Sequence, residues 1–280
     1  MNKNSVGIDA GGTLSKIVYE TESGWECKKI PTVRINEITE WIRARFSYPQ
    51  LHITGGKAGA LLEKLSFPAK KINEFEATCE GVKWLLEKNN LITETSPRFM
   101  VTNVGTGTSI HCVEGDYYER IGGSGMGGGT LLGLTYLLTG EDNYDNILEL
   151  SKKGDSRSLN ITVDDIYSHE VPPISGSLTA SNFGNVAKMK STTLSKEDYI
   201  AAVVRMVGET ITTMSVQAAE RLNTEAIVYI GSTFDGNETL KEIIRTYTEL
   251  RGKKPFFLEN GEFSGAIGAL MNNGLKQVAF

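Results

Sequence analysis

Cysteine and histidine are scarce in this sequence of 280 residues, which has three of each. They are scattered along the chain, without a CxxC pair: Cys27, Cys79 and Cys112; His52, His111 and His169. Disulfide frameworks and zinc sites need paired or closely spaced ligands, so this pattern excludes both. We expect three ordinary thiols in a reducing compartment.

Long apolar runs and clustered charge are also missing. No segment approaches the roughly 20 apolar residues that span a bilayer, and the first residues lead into a strand-like segment without a signal peptide. The net charge is −5, with lysine and arginine spread along the chain. Nucleic-acid binders usually carry a basic face, which this sequence lacks. The sequence therefore predicts a cytoplasmic protein that binds neither membranes nor nucleic acid.

Glycine, in contrast, is abundant, and many of the 30 glycines fall in a few dense runs. Residues 6–13 are VGIDAGGT and continue into alternating apolar residues over 14–19, and residues 99–113 repeat this arrangement around GTGT. Alternation on both sides of a glycine turn predicts a β-hairpin at each place. Two further apolar runs, 51–56 and 227–232, lead into helix-like sequence over 58–65 and 238–250.

These repeats predict two α/β halves, each of which opens with a glycine hairpin. We place the first over residues 1–94 and the second over 98–280, with a linker at 89–97. In the second half, residues 198–222 carry apolar side chains at helical spacing. At ~1.5 Å per residue, such a helix is roughly 40 Å long. It can support a subunit interface, and packing on its own sheet is an equally good alternative.

The first glycine turn has the composition of a phosphate site. Gly11 and Gly12 allow close backbone approach, and successive amides in such a turn form a concavity that binds anions. Thr13 adds a hydroxyl donor and Lys16 a positive charge. Asp9, at the strand end, is placed to orient a hydrated Mg²⁺. The turn therefore favours a phosphate chain over a plain hairpin with an exposed lysine.

The later glycine runs extend this prediction. The turn at 105–108 would form a second phosphate clamp, with Thr106 as its side chain. The run at 122–130 leads into a helix, where free amides and the helix dipole favour an anion. We discount its match to the dinucleotide string GxGxxG, because no strand with an acidic end follows about 20 residues later. The Walker pattern fails as well, since Ala58 follows Lys57.

Phosphoryl transfer to an alcohol needs a carboxylate beside the acceptor hydroxyl, whereas the phosphoryl group needs positioning and charge neutralisation. Glu74 and Glu76 lie at a strand–helix junction, and the residues alone leave the choice between them open, with helix capping as the alternative role. Arg120 would aim a cation into the same cleft and hold a carboxylate or a phosphate. Together these residues predict a kinase that acts on a hydroxyl of a small metabolite.

Several segments together resemble the type II pantothenate kinases, small members of the actin, sugar-kinase and acetate-kinase superfamily. The resemblance covers essentially the whole chain. It rests on GIDAGGTL at 7–14, TGG at 54–56, EF at 74–75, NVGTGTS at 103–109, GGGT at 127–130, PPI at 172–174, LTASNFG at 178–184, YIGS at 229–232 and ENGEFSGAIGA at 259–269. The opening motif is shared across the superfamily, whereas the EF, NFG and SGAIGA segments are much more specific.

The resemblance implies an α/β fold of two actin-like (RNase H-like) lobes, each a mixed sheet with helices, with the ATP cleft between them. It implies ATP-dependent phosphorylation of pantothenate to 4′-phosphopantothenate in coenzyme A biosynthesis. Mg²⁺ would assist, and the protein would be a homodimer with the long second-half helix among its interface elements. Glu74 would be the general base, Arg120 a cation that contacts substrate and phosphate, and Asp9 the metal ligand. The implied nucleotide contacts are Asp9, Gly11, Gly12, Thr13, Leu14, Ser15, Lys16, Thr106, Gly128, Gly129, Thr130, Leu131, Leu132, Tyr144 and Ser232.

Two alternatives stand beside this function. Another kinase of the superfamily, for a sugar or an amino sugar, would share the fold, but those relatives generally use an aspartate base on a second-half strand. A non-catalytic nucleotide-binding regulator would lack the base or Asp9, and the sequence has both.

Overall fold

The computed structural model describes residues 4–22, 24–91, 98–168, 170–188, 194–272 and 276–277. The linker predicted over 89–97 lies mostly outside these residues. The elements before it are β1 (Ser5–Ala10), β2 (Leu14–Thr21), β3 (Gly24–Pro31), α1 (Ile35–Arg45), β4 (Gln50–Thr54), α2 (Ala58–Leu62), β5 (Ala69–Lys71) and α3 (Glu74–Lys88). Those after it are β6 (Phe99–Val104), β7 (Thr108–Glu114), β8 (Tyr117–Ser124), α4 (Gly128–Thr139), α5 (Tyr144–Ser151), β9 (Ile161–Thr162), α6 (Val163–Ile166), β10 (Thr179–Ser181), α7 (Lys196–Arg221), β11 (Ala226–Ile230), α8 (Glu238–Leu250), β12 (Lys254–Phe257), α9 (Ser264–Met271) and β13 (Lys276–Gln277).

The first sheet has the strand order β3-β2-β1-β4-β5, with β1 antiparallel to β2 and parallel to β4. Val6, Gly7 and Ile8 of β1 are all buried, as expected for a central strand with both faces covered. Ile38 and Ile42 of α1 pack into the core on one face. On the other face α9 lies directly on β1, since a Cβ at Gly7 would stand 2.1 Å from the Ala266 carbonyl oxygen.

The second sheet has the order β12-β11-β6-β7-β8-β13, in which β6 and β7 form an antiparallel hairpin. Both predicted glycine hairpins are therefore confirmed, β1–β2 around residues 11–13 and β6–β7 around 105–107. The predicted strand-to-helix passages are present too, from β4 to α2 and from β11 to α8. The prediction of an α/β fold with two mixed sheets is confirmed.

The long helix α7 confirms the periodicity seen over residues 198–222. Ser195 and Asp198 close its N-terminus as a capping box, in which each side chain accepts a backbone hydrogen bond from the other residue. Its buried side chains, such as Val203, Val207 and Ile211, belong to the core of the second sheet. The helix thus packs on its own sheet. Across the described part of the chain, none of the helices combines the length and apolar character that a bilayer span requires.

Helices α3 and α9 lie between the two sheets. Cys79, Val82 and Leu86 of α3 pack against the second sheet, whereas α9 packs against β1 of the first. The two helices touch through glycine, because a Cβ at Gly81 would stand 1.9 Å from the carbonyl oxygen of Ser264. Helix α9, which comes from the second half of the sequence, therefore covers one face of the first sheet. The cleft forms beside this central layer of α3 and α9.

Candidate active site

The two glycine turns meet at one cleft. The hydroxyl oxygens of Thr13 and Thr106 lie 3.1 Å apart, so the turns of β1–β2 and β6–β7 touch directly. The cavity beside them has a volume of about 470 Å³. Nine of the predicted site residues line it: Asp9, Gly11, Gly12, Thr13, Leu14, Lys16, Glu74, Thr106 and Ser232.

The first turn is closed by its own backbone and carries a charge pair. The Gly11 amide donates to the Leu14 carbonyl at 3.2 Å, and the Lys16 ammonium lies 3.4 Å from the Asp9 carboxylate. Asp9 and Lys16 are register partners across the hairpin, which places both side chains on one face. Ser15 alternates to the opposite face, where its buried hydroxyl bonds that of Thr32 at 3.0 Å. Its side chain does not face the cleft.

Asp9 sits in a cradle that only glycine allows. A Cβ at Gly55 would stand 2.6 Å from one Asp9 carboxylate oxygen, and one at Gly265 would stand 3.0 Å from the other. Gly55 also has φ of +96°, which disfavours other residues. Loops from β4 and the start of α9 thus fix the carboxylate from two sides. An oxygen donor held in this way fits Mg²⁺, which usually takes one or two carboxylates together with water and phosphate.

Glu74 lies at the start of α3, on the wall of the cleft. The Asn73 side chain caps this helix by accepting hydrogen bonds from the amides of Phe75 and Glu76. Partial desolvation raises the pKa of Glu74, the nearby Asp9 charge raises it further, and Lys16 opposes both. The carboxylate is therefore a better proton acceptor than an ordinary glutamate, and it stays open to solvent in the cleft.

Glu76 is separated from this wall by the geometry of the helix. Residues two apart on a helix do not face the same side, and Glu76 is not among the residues that line the cleft. Its charge instead acts on Tyr118 and Glu80, whose pKa values are raised by burial first and by Glu76 to a smaller extent. Of the two candidates that the sequence offered, the structure brings Glu74 to the glycine turns.

Arg120 borders the cleft without lining it. Its guanidinium carbon lies 5.6 Å from the centre of the Phe75 ring, and Phe75 itself is part of the wall. The side chain is exposed. The guanidinium group packs over Gly123, where a Cβ would stand 2.7 Å from one of its nitrogens. The cation of Arg120 therefore lies against the wall of the cleft at Phe75.

The glycine run before α4 supports the second turn with the amides of Gly128 and Gly129. The amides of Gly128 and Gly129 donate to the carbonyls of Gly105 and Thr106 at 2.8 and 2.9 Å. These amides are therefore occupied, contrary to the expectation of an open anion site at this helix start. Three further predicted residues here make other contacts. Thr130 donates its hydroxyl to the Gly125 carbonyl, and the Leu131 amide donates to the Gly127 carbonyl. The side chain of Leu131 is buried in the core of the second sheet, and that of Leu132 packs against the same core.

Ser232 reaches the cleft through a turn that leans on the second hairpin. A Cβ at Gly231 would stand 2.2 Å from the Val104 carbonyl oxygen, and its φ is +116°, so glycine is required there. The next residue, Thr233, donates its hydroxyl to the Gly105 carbonyl at 3.0 Å. Tyr144 supports the same turn by donating its hydroxyl to the Thr233 carbonyl at 2.6 Å. Tyr144 is thus behind Ser232 and does not line the cavity.

Four lining residues lie in segments quoted from the sequence but received no predicted role, namely Phe75, Asn103, Ser109 and Ser124. Alternation along the second hairpin could have indicated the two from β6 and β7, because Asn103 and Ser109 are register partners beside the turn. Phe75 and Ser124 carry no such local signal, since they reach the cleft through contacts between distant segments.

Two mixed sheets, a central helical layer and glycine turns on both sides of one cleft define the class, an actin-like α/β fold. Solved structures agree. Component A of the Acidaminococcus fermentans (R)-2-hydroxyglutaryl-CoA dehydratase matches with a TM-score of 0.62 and 16% identity, over 95% of this chain and 96% of that one. A ROK family glucokinase from Streptomyces griseus, solved with glucose and AMPPNP, matches with a TM-score of 0.57 and 10% identity, over 95% and 98%. At such identities the likeness shows the fold alone.

The family follows from the sequence comparisons. The Fumble family model matches residues 20–272. A type II pantothenate kinase of Staphylococcus haemolyticus is 44% identical over 269 residues, which cover 96% of this chain and 99% of the relative. A type II pantothenate kinase of Bacillus thuringiensis subsp. konkukian is 44% identical over 273 residues, covering 96% and 98%. The chain belongs to the Fumble family, and the resemblance found from its motifs is confirmed.

Proposed function

We propose that this protein is a pantothenate kinase, which transfers the γ-phosphate of ATP to the terminal hydroxyl of pantothenate in coenzyme A biosynthesis. The observation that carries the proposal is the position of Glu74, a carboxylate of raised pKa on the wall of a cleft formed by two glycine turns. The family and the names of the 44% identical relatives support the choice of substrate.

In this proposal the cleft aligns an alcohol with the γ-phosphate. Thr13, Lys16 and Thr106 hold the phosphate chain, with Ser232 on the nucleotide side. Glu74 accepts the proton of the pantothenate hydroxyl as its oxygen forms the new bond to phosphorus. The bond from phosphorus to the bridging oxygen breaks, and ADP leaves. Because the transition state is loose, positioning and charge neutralisation supply most of the rate.

Mg²⁺ belongs to the proposal as the partner of Asp9. The described residues contain no group of three or more histidine, cysteine, aspartate or glutamate side chains that could hold a metal ion by themselves. We therefore infer that the ion enters with the nucleotide, held by its phosphates, by water and by Asp9. When bound, it would neutralise charge on the phosphates. Lys16 keeps Asp9 paired until then.

The acceptor side of the site favours this function over the alternatives. Asp9 and Glu74 are the acidic groups among the described lining residues, so an aspartate base from the second half, as in sugar kinases, has no counterpart there. A regulator without turnover would have no use for a carboxylate of raised pKa beside a phosphate turn. Arg120 would swing from Phe75 to contact the substrate or the transferring phosphate.

The homodimer and the cytoplasmic location are further parts of the proposal. At the end of α4, Tyr136, Leu137 and Leu138 are exposed by 56%, 78% and 44%, and a second copy that covers them would bury this apolar patch. The buried side chains of α7 face its own sheet instead. Cys27, Cys79 and Cys112 are free thiols, which suits the reducing cytoplasm. Light scattering of the purified protein measures the dimer directly.

Phosphate transfer from labelled ATP tests the proposed reaction. The purified protein is incubated with Mg²⁺ and pantothenate, with a hexosamine, or without an acceptor, and the products are identified by mass spectrometry. We expect 4′-phosphopantothenate and no hexosamine phosphate. Transfer to the hexosamine alone would replace the substrate, and nucleotide binding without transfer to any acceptor would favour a regulator.

A further inference from the structure

His111 is a buried histidine one layer behind the cleft, and the proposed reaction assigns it no role. It lies on β7, is fully buried and is the register partner of Arg120 on β8. Its ring is 5.0 Å from that of Phe75 at an interplanar angle of 41°. Its Nε2 atom lies 3.1 Å from the hydroxyl oxygen of Ser109, which lines the cleft. His111 therefore contacts two wall residues from behind.

The imidazole is neutral in this environment. Burial lowers the pKa of His111 to about 4, and the Arg120 charge contributes in the same direction. A neutral imidazole has one N–H donor and one bare nitrogen. It cannot donate from both nitrogens, so the position of its single proton decides whether the Ser109 hydroxyl accepts or donates the hydrogen bond with His111.

The hydrogen-bond partners select one tautomer. Among the described residues, nothing bonds to the buried Nδ1 atom of His111. A proton on Nδ1 would leave a buried N–H without an acceptor, and orphaned N–H groups are rarer in proteins than orphaned acceptors. A proton on Nε2 is instead donated to the Ser109 oxygen. Ser109 then accepts from His111 and keeps its own O–H for the cleft, because a hydroxyl has one hydrogen.

We propose that His111 is a positioning residue, which, as the neutral Nε2–H tautomer, turns the Ser109 hydroxyl into a hydrogen-bond donor toward an oxygen of the bound alcohol substrate. The tilted Phe75 ring packs against the imidazole and restrains its plane, and thereby the direction of the bond. This inference rests on the proposed function for the identity of the substrate. The tautomer and its partner are properties of the protein alone.

Nitrogen NMR of the wild-type protein tests the tautomer without any activity. With ¹⁵N-labelled histidine, two-bond correlations distinguish Nε2–H, Nδ1–H and the doubly protonated ring, and the H111F variant identifies the signals of His111. We expect the Nε2–H pattern at every pH from about 5.5 to 9, since the ring stays neutral well above a pKa of about 4. An Nδ1–H tautomer or an imidazolium in this range would overturn the proposal, even if pantothenate proved not to be the substrate.

Kinetics of matched variants test the route through Ser109. H111F keeps a ring against Phe75 but loses the hydrogen bond, and S109A loses the hydroxyl. Each should raise the KM for pantothenate about fivefold to tenfold, as for one hydrogen bond, with the KM for ATP unchanged. H111Q, whose amide can donate to Ser109, should recover most of this loss, and H52Q, which lies on β4 outside the cleft, should behave like the wild type.

The double variant separates positioning from general support of the fold. If His111 acts through Ser109, S109A/H111F should have the same KM for pantothenate as S109A. Multiplied effects, or a loss of kcat without a change in KM, would show that His111 only supports the wall and would overturn the proposal. Absence of transfer to pantothenate in the wild type would instead count against the proposed function, and the NMR result would still decide the tautomer.

Discussion

At the scale of single residues, the cleft holds two carboxylates, Asp9 and Glu74, together with the ammonium group of Lys16. The surroundings of the two carboxylates differ. Asp9 is paired with Lys16 and enclosed by glycines, which hold its carboxylate in place. Glu74 is partly desolvated and lies in the field of Asp9, so its proton affinity is raised. These different surroundings match the different roles proposed for the two carboxylates.

Replacement of Glu74 by glutamine should separate binding from chemistry. We expect E74Q to lower kcat by roughly 10²–10⁴, the usual contribution of a general base, because glutamine cannot accept the proton. Nucleotide affinity should stay near that of the wild type, since Glu74 does not hold phosphate. Steady-state kinetics and nucleotide titration measure both. E76Q is the matched control and should be nearly fully active; a large loss in E76Q with an active E74Q would exchange the roles.

The pKa of Glu74 should respond to its two charged neighbours in opposite directions. In D9N the like charge is gone, so the pKa should fall toward the ordinary 4.5, and in K16M it should rise, because the opposing cation is lost. Carbon NMR of labelled glutamate, with E74Q to identify the signal, follows this titration in the absence of ligands. In wild-type kinetics, activity should fall as the pH drops through this raised pKa, where the base becomes protonated. Shifts of the same sign in both variants would contradict this account.

At the scale of elements, the layer of α3 and α9 is packed through glycine. A Cβ at Gly81 would stand 1.9 Å from the Ser264 carbonyl oxygen, and one at Gly268 would stand 1.7 Å from that of Ala77. These contacts are to backbone, so no side chain can turn aside to make room. The close approach brings the start of α9 to Asp9 and the start of α3, with Glu74, to the same cleft.

Alanine at Gly81 should therefore destabilise the whole protein. We expect G81A to lower the free energy of unfolding by at least about 2–3 kcal/mol, as for overpacked cores, measured by urea denaturation. Gly133 of α4 is the matched control, because a Cβ there meets no other atom within 4 Å. G133A should be neutral or stabilising by about 0.5–1 kcal/mol, since alanine favours helices. Equal effects in the two variants would argue against this explanation.

The elements also show where prediction from the sequence ends. Alternation around glycine turns is a local pattern, so both hairpins and the glycine turn that lies beside the cleft could be predicted. The engagement of Gly128 and Gly129 with the second hairpin could not, because the same glycine run is compatible with free amides. The choice of Glu74 over Glu76 and the return of α9 to β1 likewise depend on contacts between segments far apart in the sequence. Only the resemblance to a family supplied the first of these.

At the scale of the whole molecule, Lys29 joins the first sheet to the second. It lies on β3 of the first sheet and pairs with Asp235, after β11 of the second sheet, and with Glu262 at 2.9 Å, just before α9. Its side chain is 27% exposed, and that of Asp235 is 59% exposed, so each pair is screened by solvent and worth little by itself. Of the two, the pair with Asp235 links a strand of the first sheet to the turn after a strand of the second.

Loss of Lys29 should open the cleft more than it weakens the fold. We expect K29A to lower the free energy of unfolding by about 0.5–1 kcal/mol at most. The radius of gyration of the nucleotide-free protein, from small-angle X-ray scattering, should increase, and a nucleotide analogue should restore compaction. K254A removes an exposed pair with Glu225 between neighbouring segments of the second sheet and should leave the scattering unchanged. An unchanged radius in K29A would show that the pairs do not restrain the two sides.

Because α9 covers the bare face of β1, residues 4–91 leave the ribosome before the helix that must seal them has been synthesised. The emerging chain can form β6 to β12 of its later sheet first, and it must wait for codons 264–271 before its earlier sheet is covered. A stop codon before codon 264 would thus leave the first sheet without its covering helix, although that sheet is translated first. The truncated product would expose apolar strand surface to the quality-control machinery of the cell.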